Sequence, residues 1–137
     1  MKKNKLKTVF TALIAFALAT GGSVASVHAY NRQTNKEKSV RVDVLPVTLA
    51  LGEKVVFDIR MNTHSVGLDN DIVSGSVLKD DKGIAYNAIK WNGTPGGGHH
   101  RKGTLEFPAL KGNPKSVTLI IKGVSNVPER VYKWTLE

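Results

Sequence analysis

Two adjacent histidines follow three consecutive glycines in the segment TPGGGHHR, residues 94–101, and a third histidine lies in the segment NTHS, residues 62–65. Imidazole nitrogens are good ligands for Zn²⁺ and Cu²⁺, and carboxylate oxygens can complete such a site. The candidate ligands for a divalent transition metal, zinc or copper, are His64, His99, His100, Asp69 and Asp71. A blue-copper centre is excluded, because the chain contains no cysteine to supply the thiolate ligand.

The histidine segment also has a purely structural interpretation. The candidate ligands lack the dense spacing of a motif such as HExxH, and adjacent histidines can share one ion only where the backbone bends sharply between them. The alternative is a long hairpin connection whose imidazoles hydrogen-bond to backbone groups. Ser65 follows a histidine, but no GxSxG motif accompanies it. The sequence therefore predicts a binding protein rather than an enzyme.

Alternating apolar and polar residues predict the elements that would hold these segments. Val40, Val42 and Val44 alternate with polar residues, which is the period of a half-buried strand, and Pro46 is expected to end that strand or mark a sheet edge. Further strands are predicted at residues 55–61, 71–78, 84–91, 104–107, 117–121 and 131–136. No helix is predicted beyond residue 29, because no window keeps a helical apolar stripe.

Seven short strands separated by turn signals predict an all-β fold, a seven-stranded antiparallel immunoglobulin-like sandwich, with a cupredoxin-like barrel as the alternative. In such a sandwich the loops after the second, fourth and sixth strands gather at one end. All three candidate histidines lie in two of these loops, and Asp69 and Asp71 lie at the same end. The polar residues of that end are candidate contacts for a bound partner: Asn62, Thr63, Ser65, Arg101 and Glu129.

The N-terminus has the layout of a secretory signal peptide. Four lysines precede an apolar run at residues 9–19, which is too short to span a bilayer as a helix, and Val27 and Ala29 are suitable for a cleavage site. The predicted organisation is a signal peptide at residues 1–29, a flexible leader at residues 30–38 and a single β-sandwich domain at residues 39–137. The protein is thus expected to be secreted or otherwise extracytoplasmic, with no transmembrane span after cleavage.

The charge of the chain limits the class of partner. It has 20 Lys and Arg residues against 11 Asp and Glu residues, and loss of the four N-terminal lysines leaves 16 against 11, a net charge of +5. Because the remaining lysines are scattered among carboxylates, they do not form the basic stripe of a nucleic-acid interface. A cell-wall, glycan or protein partner in the envelope remains as the alternative to a metal.

Several of these segments resemble sequence patterns found in other proteins. The segment NTHS, the later pattern W-x-G…GGHHR-x-G-x-L-x-F from Trp91 to Phe107, and VPER at residues 127–130 resemble a set of small exported bacterial proteins. The resemblance covers most of the chain after the predicted cleavage point. It implies export and a β-sandwich, and it is compatible with a metal-related role in the envelope, but it implies no particular reaction.

Overall fold

The computed structural model describes residues 29–136, so the predicted signal peptide lies outside the described residues except for Ala29. The described part of the chain contains no α-helix and hence none that is long and apolar enough to cross a membrane. It forms nine strands: β1 (Gln33–Glu37), β2 (Val40–Thr48), β3 (Val55–Thr63), β4 (Ser76–Asp80), β5 (Ala85–Asn87), β6 (Lys90–Gly93), β7 (His100–Phe107), β8 (Ser116–Ile121) and β9 (Arg130–Thr135).

The strands form two antiparallel sheets that enclose one hydrophobic core. The five-stranded sheet has the order β1-β2-β3-β7-β6, and the four-stranded sheet has the order β5-β4-β8-β9. The Phe57 ring of β3 lies 5.2 Å from the Trp134 ring of β9, centroid to centroid, so the aromatic core joins the two sheets. The predicted all-β sandwich is confirmed, whereas the predicted count of seven strands becomes nine in the described residues.

Strand β3 shows why the period-two pattern produces this architecture. Val55, Phe57, Ile59 and Met61 are all fully buried, while the residues between them are partly or fully exposed. Burying one face of each strand requires a second apolar layer, which β8 and β9 provide. Removing a fully buried Phe side chain typically costs about 3–5 kcal/mol, which is a large part of the stability of a domain of this size.

The segment predicted to be a flexible leader, residues 30–38, instead contains strand β1. Its backbone pairs with β2 from Gln33, opposite Val44, to Glu37, opposite Val40. The segment is polar and lacks alternation, so it gives no periodic signal. Strand pairing uses backbone groups that every residue except proline carries, and a polar edge strand can therefore form wherever a neighbouring strand offers its edge.

Other strand boundaries also differ from the predicted ones, and three of these differences show a physical reason. The strand predicted at residues 84–91 is divided at Ala88 and Ile89, and its halves β5 and β6 belong to different sheets. The strand predicted at residues 71–78 begins only at Ser76, because Asp71 caps a tight turn before it. Strand β2 passes through Pro46 to Thr48 with a register shift at that point, which accommodates the missing N–H of proline.

Arg130 holds β1 against the rest of the sandwich. Its side chain is fully buried, and its guanidinium donates hydrogen bonds to the carbonyl oxygens of Glu37, Val40 and Val124 and to Asn35 Oδ1. These partners lie on β1, on β2 and in the β8–β9 loop. One planar group with several donors thereby satisfies two buried backbone acceptors, Val40 O and Val124 O, and two further acceptors that are partly buried.

We expect Arg130→Met to lower the free energy of unfolding by about 2–4 kcal/mol, because it leaves two buried and two partly buried acceptors without a donor. Urea unfolding at pH 7 measures the change. Arg41→Met is the matched control: the Arg41 side chain is 54% exposed, and its partner Asp43 keeps a hydrogen bond from Thr34, so its loss should cost no more than about 1 kcal/mol. Equal effects of the two substitutions would contradict the role assigned to Arg130.

Tyr132 makes the stability sensitive to alkaline pH. Burial raises the pKa of its phenol well above the ordinary value, and its hydroxyl donates to the Val42 carbonyl at 3.1 Å. The folded protein therefore keeps this proton at pH values where the unfolded chain releases it. The contribution to stability is fully present below about pH 10 and is lost as the pH rises above that value.

The unfolding free energy should accordingly fall above about pH 10, with Tyr132 contributing up to about 1.4 kcal/mol per pH unit. Tyr132→Phe should lower stability at neutral pH through the lost hydrogen bond and should give a shallower fall between pH 10 and 11.5. Denaturant unfolding over this range tests the prediction, and the same alkaline slope in both proteins would refute it.

Candidate functional site

The two histidine-bearing loops meet at one end of the sandwich, as predicted from the strand order. The β3–β4 loop, residues 64–75, and the β6–β7 loop, residues 94–99, are joined by backbone hydrogen bonds. The N–H of Leu68 donates to Gly98 O at 3.2 Å, and the N–H of Gly97 donates to Leu68 O at 2.9 Å. Gly97 and Gly98 both have positive φ, at 109° and 72°, a conformation that favours glycine. Here it accompanies the backbone hydrogen bonds between the two loops.

Arg101 lies beneath this junction and holds it together. Its side chain points inward from β7, and the residue is only 6% exposed. The guanidinium donates to Asn70 O at 2.6 Å and to Thr94 O at 3.3 Å, with a longer contact of 3.5 Å to Leu68 O. Burial lowers the pKa of Arg101, while Asp71 and Asp69 oppose that effect. Arg101, predicted as a binding residue, therefore fixes both loops through their carbonyl groups.

Trp91 completes this support from strand β6. Its indole N–H donates to Thr94 O at 2.8 Å, the same carbonyl that accepts from Arg101, and the Arg101 guanidinium lies 5.3 Å from the centre of the ring. Gly93 and Gly103 face each other across the β6–β7 pair beneath this ring. A methyl group on either glycine would approach Trp91 Cζ2 to 3.0 or 2.8 Å, so both must lack a side chain.

The segment NTHS divides between structural and surface roles. Thr63 is buried, and its hydroxyl accepts hydrogen bonds from the N–H groups of Ser65 and Val66, which caps the turn after β3. Its own N–H donates to His99 O at 3.0 Å. Asn62 is exposed and pairs with His100, with 2.8 Å between Asn62 Oδ1 and His100 Nδ1. Thr63 and Ser65 therefore organise the turn, while Asn62 and His100 present polar atoms to solvent.

The predicted metal ligands do not converge on a centre. His100 belongs to strand β7 and not to the loop, which places it on the exposed side of the sheet. His64 and His99 are also exposed. Within residues 29–136, no group of three or more His, Cys, Asp or Glu residues is arranged so that it could hold a metal ion.

The two aspartates have other surroundings. Asp71 Oδ1 accepts from the N–H groups of Val73 and Ser74 at 3.1 and 3.3 Å, and hydrogen bonds from Ser74 are the main reason that the pKa of Asp71 is lowered. Asp71 therefore works as a turn cap. Asp69 is exposed and lies beside the glycine loop: a methyl group on Gly97 would lie 3.7 Å from Asp69 Oδ1.

Glu129 occupies the same end of the sandwich but a different loop. It is exposed in the β8–β9 connection, where Ser125 and Asn126 have positive φ and make a tight turn between Val124 and Val127. The Ser125 hydroxyl donates to Lys38 O, which connects this loop to the β1–β2 turn rather than to the histidine loops. The structure therefore does not group Glu129 with the other candidate residues.

A cleft of about 260 Å³ opens where the glycine loop meets the outer side of the five-stranded sheet. We call it the basic cleft; it is lined by Arg60, Asn62, Thr94, His100, Arg101 and Lys102. Three of these residues were candidates from the sequence: Asn62 and Arg101 as contacts for a partner, and His100 as a metal ligand. The alternation of β3 and β7 places Arg60 and Lys102 on the outward side, but their position opposite each other depends on the strand register.

Comparison of the chain with protein-family models, curated proteins and solved structures found no match.

The glycine pair beneath Trp91 gives a stability test of this arrangement. We expect Gly103→Ala to lower the free energy of unfolding by about 1–3 kcal/mol, because the methyl group would meet Gly93 and the Trp91 ring. Gly96→Ala is the matched control, since a methyl group there would have its nearest contacts at 3.6 Å and Gly96 does not have positive φ. It should leave stability unchanged or raise it by up to about 1 kcal/mol. Urea unfolding measures both variants. Comparable losses of stability would show that the close contact between Gly93 and Gly103 is not the reason that Gly103→Ala destabilises the protein.

Proposed function

We propose that this chain is an exported, non-enzymatic binding module of the cell envelope and that the basic cleft is its binding site. The observation that carries the proposal is the cleft itself. Its exposed polar side chains project from two paired strands, and a buried arginine, a tryptophan and backbone hydrogen bonds fix the adjoining loop. A rigid frame beneath a polar surface is suited to recognition, because little conformational entropy is lost on binding.

We further propose that the sandwich is of the immunoglobulin type. The strand order supports this: β2-β3-β7-β6 in one sheet and β4-β8-β9 in the other correspond to the ABED and CFG sheets of that fold. Strands β1 and β5 are then additions at the sheet edges. In immunoglobulin-type domains the loops at one end commonly carry the binding surface, and the basic cleft lies beside the loops at such an end.

Export is supported by the signal-like N-terminus, and an envelope ligand follows from that location. The moderately basic surface favours attraction to anionic cell-wall material. Nothing in the geometry of the described residues favours a metal ligand set over this interpretation. The experiment therefore includes a separate measurement with a chelator, which tests the metal hypothesis.

The two exposed histidines provide a matched test. The purified protein is incubated with isolated bacterial cell walls, and the bound fraction is measured with and without EDTA. We expect His100→Ala to reduce binding several-fold, because it removes a cleft side chain and the partner of Asn62. His64→Ala should bind like the unmodified protein, since His64 is exposed outside the cleft.

Two results would contradict the proposed site. Equal binding by both histidine variants and the unmodified protein would exclude the basic cleft. Loss of binding with EDTA, together with equal losses in both variants, would favour the metal hypothesis instead. Urea unfolding of each variant confirms that any lost binding does not come from an unfolded protein.

A further inference from the structure

The lining of the basic cleft has a single sign of charge. Arg60, Arg101 and Lys102 contribute three positive charges, Asn62 and Thr94 are neutral, and no Asp or Glu lines the cleft. Elsewhere on the same sheet the charges alternate in sign, for example between Arg41 and Asp43 on strand β2. A concave surface with charge of one sign concentrates counter-ions of the opposite sign.

The positive groups of the cleft are also incompletely paired. Arg60 Nε lies 3.3 Å from Asp58 Oδ2, and Asp58 is shared with Arg32 at 3.1 Å. Asp43 lies opposite Arg60 on strand β2, but Arg41 holds both of its oxygens. Within residues 29–136 the Lys102 ammonium has no carboxylate within 4.0 Å, so its charge remains available to a ligand.

The strand register places two positive side chains opposite each other, and their repulsion lowers the stability of the folded protein. Arg60 and Lys102 are direct partners in the β3–β7 pair, and like charges at such positions destabilise an antiparallel sheet. An anion between the two side chains would remove the repulsion. Like charges placed side by side in the lining of a cleft fit a binding site, where stability is reduced for the sake of recognition.

Neighbouring groups add directional hydrogen bonding. Asn62 and His100 are the next outward pair along the same strands, and Asn62 Oδ1 accepts from His100 Nδ1. This contact does not use the Asn62 Nδ2 donors or His100 Nε2, so these atoms can bond to a ligand. A ligand with an oxyanion for Arg60 and Lys102 and with hydroxyl groups for Asn62 and His100 would match both pairs.

We infer that the basic cleft recognises an oxyanion, carboxylate or phosphate, on a repeating unit of an acidic envelope polymer. The inference rests on the proposed binding function and specifies its ligand. The volume of about 260 Å³ suits one sugar-sized or phosphate-bearing unit and is too small for several such units at once. The polymer then extends beyond the cleft along the exposed sheet.

The experiment measures the affinity of the purified protein for three soluble polymers at low salt. Polygalacturonate offers carboxylates, a polyglycerol phosphate offers phosphodiesters, and dextran is a neutral control. We expect binding to one or both of the acidic polymers, weaker binding at higher salt and at least tenfold weaker binding to dextran. Preference for the first or the second polymer identifies the carboxylate or the phosphate as the recognised group.

Charge-matched variants assign the binding to the cleft. The double variant Arg60→Gln/Lys102→Gln should lose about tenfold or more in affinity for the acidic polymer, since each lost charge-assisted hydrogen bond alone accounts for about that factor. Lys79→Gln/Lys115→Gln removes the same charge from exposed lysines outside the cleft and should change affinity less than twofold. The cleft variant should unfold at an unchanged or higher urea midpoint, because it relieves the repulsion.

The other outcomes distinguish failure of the oxyanion site from failure of the proposed binding function. Binding to dextran and the acidic polymers with equal affinity, unaffected by the cleft charges, would overturn the oxyanion site while leaving a binding module in place. Equal losses in both double variants would also overturn the site, since net charge alone would then explain the affinity. Absence of binding to the soluble polymers and to cell walls would overturn the proposed function as well.

Discussion

The guanidinium of Arg101 is the group on which the candidate site depends. It donates to carbonyl oxygens of both histidine-bearing loops from a position that is only 6% exposed, and Trp91 lies across it. Loops carry backbone acceptors that water normally satisfies, and burying them without a donor would be costly. A buried arginine supplies several donors in one plane and so allows two irregular loops to pack against each other.

The same solution appears a second time at the same end of the sandwich. Arg130 is fully buried and donates to carbonyl groups of β1, β2 and the β8–β9 loop. Arg101 and Arg130 thereby attach the loops at this end to the strands of the two sheets. The chain has no cysteine, so this end is held by hydrogen bonding and packing and not by disulfides.

Most residues of the segment from Trp91 to Gly103 thus have structural roles, and the exposed side chains of the cleft come from the outward positions of β3 and β7. Arg101, Trp91 and the facing glycines form the support, while Asn62 and His100 are exposed above it. Because side chains on β7 alternate between its two sides, Arg101 and Gly103 are each adjacent in sequence to an outward cleft residue, His100 or Lys102. Structural and binding functions therefore share one short stretch of sequence and are separated by the direction in which each side chain points.

The sequence by itself determined the all-β sandwich and its main strands, because alternation and turn residues are local signals. The meeting of the two histidine loops was predicted only through the strand order expected of such a sandwich. Only the tertiary structure decided the rest. It placed β1 at a sheet edge, divided β5 from β6 between the sheets, buried Arg101 and set Arg60 opposite Lys102. These features depend on which strands pair and in what register. Register is a relation between distant segments, and a shift of one residue would exchange the buried and exposed faces of a strand.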